Sequence, residues 1–98
     1  MECNRVVLCG QIAEMETLRY TPAGIPALNF KLSHSSEQME AGGKRQIQCD
    51  VNVLALDQPA LQASKLKVGG SVAVEGFLAR RSRNSTQLVL HVQRVKIL

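Results

Sequence analysis

Hydrophobic and polar residues alternate with a period of two along most of the chain, the period of a β-strand with one buried face. From Arg5 to Ile12, Val6, Leu8 and Ile12 share a face with Gly10 between them, while Val7, Cys9 and Gln11 take the other. A glycine inside such a run marks a bulge or a sharp bend. From Ala27 to Ser35, Leu28, Phe30 and Leu32 oppose Asn29, Lys31 and Ser33. A third run opens at Arg45 and sets Ile47, Cys49, Val51 and Val53 against Gln48, Asp50 and Asn52, the signature of an antiparallel strand wet on one side. Ser71 to Arg80 places Val72, Val74 and Leu78 together, with Gly76 as a second bend signal. Gln87 to Leu98 groups Leu88, Leu90 and Val92, then Val95 and Ile97 after a slip in phase that a bulge explains.

The segments between these runs are punctuated. Tyr20 to Pro26 holds two prolines and a glycine, which is turn chemistry. Ser36 to Lys44 is polar and reads as a mobile loop. Leu56 to Val68 breaks the period: Asp57 suits a cap, Pro59 an early helical position, and Gly69-Gly70 a stop, so a short helix with Leu61 and Leu66 toward the core is expected. Arg81 to Thr86 reads as a polar hairpin loop. The order is β-β-β-α-β-β. It predicts an all-β fold: a five-stranded OB-type Greek-key barrel with a short helix between the third and fourth strands, spanning residues 1–98 as a single domain. A sandwich of this size wants seven strands or more.

Composition narrows the function. With 98 residues the core is small, and an apolar share of 45% argues for a folded chain. Three cysteines, an odd number without a C-x-x-C pair, point to reduced thiols rather than a disulfide framework or a zinc site. No long apolar run and no signal-peptide pattern is present, so a cytoplasmic location without a membrane span is expected. His34 and His91 stand in no nucleophile or metal constellation, Glu14 and Glu16 read as a solvated strand end, and Gly42-Gly43-Lys44 lacks the rest of a phosphate loop. No catalysis, cofactor, metal or small-molecule substrate is expected.

Twelve Lys and Arg against eight Asp and Glu give a net charge of +4. The placement matters more than the sum. Arg19 lies in the first loop, Lys31 on the polar face of the second strand, and Lys44 and Arg45 at the opening of the third. Arg80, Arg81 and Arg83 fill the last hairpin. In an OB barrel the face of the second and third strands, flanked by the first and last loops, holds oligonucleotides. Cations along such a groove bind phosphates by releasing their counterions. Lys65 and Lys67 flank the helix end and read as structural.

Asn4-Arg5-Val6-Val7-Leu8-Cys9-Gly10-Gln11-Ile12 and Leu18-Arg19-Tyr20-Thr21-Pro22-Ala23-Gly24-Ile25-Pro26 resemble the opening of bacterial single-strand DNA-binding proteins. Val68-Gly69-Gly70-Ser71-Val72-Ala73-Val74-Glu75-Gly76-Phe77-Leu78 resembles their fourth strand. Gly24-Ile25-Pro26, His34, Glu40-Ala41-Gly42 and Gly76-Phe77-Leu78 are closer still to the primosomal replication protein N (PriB) family. That resemblance implies a homodimer of OB folds that binds single-stranded DNA, joins the PriA helicase and often DnaT in replication restart, and catalyses nothing. It assigns DNA contact to Arg80, Arg81 and Arg83, and less directly to Lys31 and Arg45. The position where some members carry a stacking tryptophan is Gln48 here. Tyr20 and Phe77 remain as substitutes, with core or loop packing as the alternative job for both. The competing reading is a primosome scaffold with negligible DNA affinity; RNA binding of the cold-shock kind wants more aromatics than this chain has.

Overall fold

A computed structural model describes residues 2–98. Within them run β1 (Val6–Met15), β2 (Arg19–Tyr20), β3 (Pro26–Glu40), β4 (Gly43–Leu56), α1 (Gln58–Ser64), β5 (Ser71–Arg80) and β6 (Leu88–Ile97). The sheet order is β1-β5-β6-β4-β3, and β1 closes it by pairing again with β3. Val6–Gln11 of β1 pairs with β5, and Gln11–Met15 pairs with β3. Every pairing is antiparallel except the short β4–β6 contact, where Val53, Leu54 and Ala55 run parallel to Leu90, His91 and Val92. This is the expected five-stranded OB barrel. The two-residue β2 is an addition at the edge of β3.

Both strand glycines mark close approaches of backbone. A Cβ on Gly10 would lie 2.4 Å from the Ser33 carbonyl oxygen, where β1 changes partner from β5 to β3. A Cβ on Gly76 would lie 1.7 Å from the His91 carbonyl oxygen. Gly76 also faces the bulge: Glu75 pairs with Arg94 and Gly76 with Val92, so Gln93 is the extra residue. The phase slip in the last strand is this bulge.

The core gathers the predicted inward faces. Ile12, Leu28, Phe30, Leu32, Val53, Val72, Val74, Leu90 and Val92 are buried, and Val6 and Leu8 pack against them. Helix α1 covers one end of the barrel with Ala60 and Ala63, both fully buried. Leu61 is half-buried and Leu66 packs at the margin of the core. The segment after the helix is sewn to β1: Gly69 donates to the Ile12 carbonyl at 2.7 Å, and Ile12 donates to Gly70 at 3.0 Å. At the other end, Arg5 donates to Glu75 at 3.2 Å, and this hydrogen bond holds the Glu75 carboxyl below its ordinary range.

Three expectations are corrected. The segment Ser36–Lys44 is no mobile loop: β3 and β4 stay paired out to Glu40 and Gly43, a long ribbon turned by Ala41 and Gly42. Both turn residues have positive φ, 53° and 80°, the conformation a two-residue hairpin demands. Because Ile47 and Cys49 sit on this ribbon beyond the barrel, Ile47 is only half-buried and Cys49 is exposed. Helix α1 is shorter than Leu56–Val68, and Asp57 caps it without its side chain. The Asp57 carbonyl instead accepts from Ala60 and Leu61 at 3.0 and 3.2 Å. Leu78 and Leu88 lie outside the core at 37% and 57% exposure, because the β5–β6 hairpin runs past the barrel wall.

Candidate nucleic-acid interface

Alternation sorts the outer surface of β3 and β4 into one continuous face. Asn29, Lys31, Ser33 and Ser35 of β3 stand beside Leu54, Asn52, Asp50 and Gln48 of β4. At the barrel end of this face lies a groove of about 540 Å³. Arg19 and Lys31 stand at one side of it, Arg80 and Arg81 at the other, and Asn52, Leu54, Val89 and His91 lie between. Glu14 and Glu16 also reach this groove.

Local structure sets each cation. Arg19 is on β2, and its guanidinium donates to Asn29 Oδ1 at 3.0 Å. Lys31 lies 3.7 Å from the Glu14 carboxylate. The hairpin after β5 is closed at its base: the Arg81 N–H donates to the Gln87 carbonyl at 2.9 Å, and Ser85 donates to Ser82 at 3.1 Å. That turn fixes Arg80 and Arg81 at the rim. Arg83 sits exposed at the hairpin tip, away from the groove walls.

The remaining residues singled out in the sequence lie farther along. Gln48 borders a second depression of about 480 Å³ with Ser33, Ser35 and Asp50, on the same strand face as the groove. Lys44 is at the ribbon tip on that face, 3.8 Å from Glu37. Arg45 alternates to the opposite face, beside Gln38, and pairs with Glu40. So four of the seven grouped cations meet at one groove, and Lys44, Arg45 and Arg83 stand outside it. Three of the seven, Lys31, Lys44 and Arg45, carry a carboxylate partner.

His34 takes a structural post. Its Nδ1 donates to the Cys9 carbonyl at 2.6 Å, since a carbonyl only accepts, and its Nε2 is hydrogen-bonded to the Ser36 hydroxyl at 2.8 Å. The ring thus ties β1 to the root of the ribbon. His91 is among the groove residues that sequence reasoning passed over. Its strand parity, one off from Leu90 and Val92, signals an outward side chain and no more.

The model of a family described as "another single-strand binding protein family" matches residues 4–94. The replication restart protein PriB of Nitrosomonas europaea is 40% identical over 95 residues, covering 97% of this chain and 88% of that protein. The chain belongs to the PriB family. The solved structure of PriB from Ralstonia solanacearum superposes with a TM-score of 0.88 at 33% identity, over 99% of this chain and 100% of that one. The single-stranded DNA binding protein from Thermus aquaticus shares the fold, with a TM-score of 0.78 at 22% identity over 98% of this chain and half of that one. Among the described residues of this PriB-family chain, no three His, Cys, Asp or Glu gather as metal ligands. No helix there is long and apolar enough to cross a membrane.

Proposed function

We propose that this chain is a non-catalytic, single-stranded DNA-binding accessory protein of replication restart, and that all of residues 1–98 serve as one binding domain. The observation that carries this reading is the convergence of Arg19, Lys31, Arg80 and Arg81 on one groove across β3, β4 and β6. Spaced cations along a groove match a chain of repeating phosphates. Family membership supports the same reading, since the relatives are named replication restart proteins. Arg83 adds charge at the hairpin tip, Lys44 and Gln48 extend the contact along the ribbon, and Arg45 adds charge on the ribbon's opposite face. We further propose a cytoplasmic homodimer that joins the PriA helicase, and DnaT where it takes part, in replication restart, as the family resemblance implies.

The test is a comparison of equal charge losses. Replacing Arg80 and Arg81 with Ala should weaken oligo-dT binding at least about tenfold and flatten its salt dependence by about 0.7 per arginine. Replacing Lys65 and Lys67 with Ala, which follow α1 and do not line the groove, should leave both nearly unchanged. Equal effects from the two pairs would reject the groove.

One observation favours the scaffold reading instead: Lys31, Lys44 and Arg45 are each matched by a carboxylate. Exposed pairs of this kind are worth at most about 1 kcal/mol and yield readily to a phosphate. Absence of oligo-dT binding at low salt, together with tight binding to PriA, would decide for the scaffold.

A further inference from the structure

The PriB-family groove described above has charged walls, but its floor is not charged. Strand register lines up one row of outward side chains across four strands: Asn29 of β3 beside Leu54 of β4, Leu54 beside His91 of β6, and His91 beside Phe77 of β5. The His91 and Phe77 rings are stacked, with centroids 5.0 Å apart and planes 15° from parallel. Both residues are half-buried, so the pair sits at the surface rather than in the core. His91 lines the groove, and its floor residues Leu54 and Asn52 lie on the β4 side of it, away from Phe77.

From this arrangement we infer that His91, backed by Phe77, is the base-stacking platform of the groove. The inference rests on the DNA-binding reading and adds the group that the charged walls lack. Phosphate contacts alone hold a polyanion without regard to its bases, whereas a flat π-face rewards the base itself. Phe77 holds the imidazole in a stacked orientation, so less rotamer freedom is lost when a base arrives. Leu54, beside His91 on β4, and Val89, two residues before it on β6, add apolar surface to the groove lining. Of the two aromatics left open by the sequence, Phe77 therefore joins the groove through His91. Tyr20 is 62% exposed on β2, and it alternates away from Arg19, the β2 residue that reaches the groove.

The experiment compares oligo-dT with an abasic oligomer of equal length and charge, using the full chain and its His91→Leu, Phe77→Leu and His91→Trp variants. The full chain should prefer oligo-dT by about five- to a hundredfold. His91→Leu should erase most of that preference and leave abasic binding and the salt dependence intact. Phe77→Leu should reduce the preference by a smaller factor, with circular dichroism unchanged. The chain has no tryptophan, so H91W carries a single reporter whose fluorescence oligo-dT should quench, with binding tighter than that of the parent. Equal binding of the two oligomers by the full chain overturns the platform and leaves the groove standing. A preference that survives His91→Leu, or H91W fluorescence that oligo-dT leaves unquenched, also overturns it. Binding of neither oligomer overturns both readings together.

Discussion

At Gly76 there is no room for one added carbon. A methyl group there meets the His91 carbonyl oxygen at 1.7 Å, and that atom belongs to backbone already pinned by the bulge at Gln93. Gly76→Ala should therefore destabilise the fold by about 1–3 kcal/mol or more, read by chemical denaturation. At Gly43 a Cβ meets nothing within 4 Å, so Gly43→Ala should change stability little. In the groove, Glu14 opposes the same phosphates that Lys31 attracts. Glu14→Gln should tighten oligo-dT binding by about two- to fourfold at low salt and by less at high salt. Weaker binding of that variant would mean that the Lys31–Glu14 pair positions the lysine rather than masks it. These residues were partly legible beforehand. A glycine in a strand announces a bend, and arginines in a hairpin announce a charged rim. His91 was not legible. Alternation put it outside the barrel, but only the parallel β4–β6 contact turns that outside into a groove floor, and side-chain alternation carries no information about strand partners.

The ribbon formed by the ends of β3 and β4 is where sequence reasoning fell short among the elements. Its β3 side carries no repeating apolar face: Ser35 and Glu37 alternate with Ser36, Gln38 and Glu40, and the one apolar side chain, Met39, is exposed. A strand beyond the core has no need of an apolar face, so the period that betrays buried strands is missing there. Main-chain pairing holds it, together with the His34 bonds to Cys9 and Ser36. Its turn keeps a residual misfit, because Ala41 adopts a φ of 53° that L-alanine disfavours. Ala41→Asn should stabilise the hairpin by about 0.5–1 kcal/mol in thermal unfolding. Ala41→Pro cannot adopt that angle and should fray the ribbon, seen as faster amide exchange at the ribbon residues with the barrel amides still protected. Helix α1 occupies only part of the aperiodic segment Leu56–Val68, since neither Leu56 nor Val68 is buried and Ala60 and Ala63 suffice to cover the barrel end.

Over the whole molecule, the barrel and its ribbon span 50 × 33 × 22 Å, and the net charge of +4 is not spread over that surface. The outer face of β3 and β4 runs from the cation-walled groove, past the depression at Gln48 and Asp50, to Lys44 at the ribbon tip. That face contains acids as well as bases, so the attraction is concentrated at the barrel end. Binding should therefore be led by a few phosphate contacts and not by the bulk charge. The most direct measurement is the oligo-dT association constant as a function of salt. Four groove cations contribute a log–log slope of about −2.8, so a fourfold rise in salt should weaken binding about fiftyfold. A flat response would contradict the account.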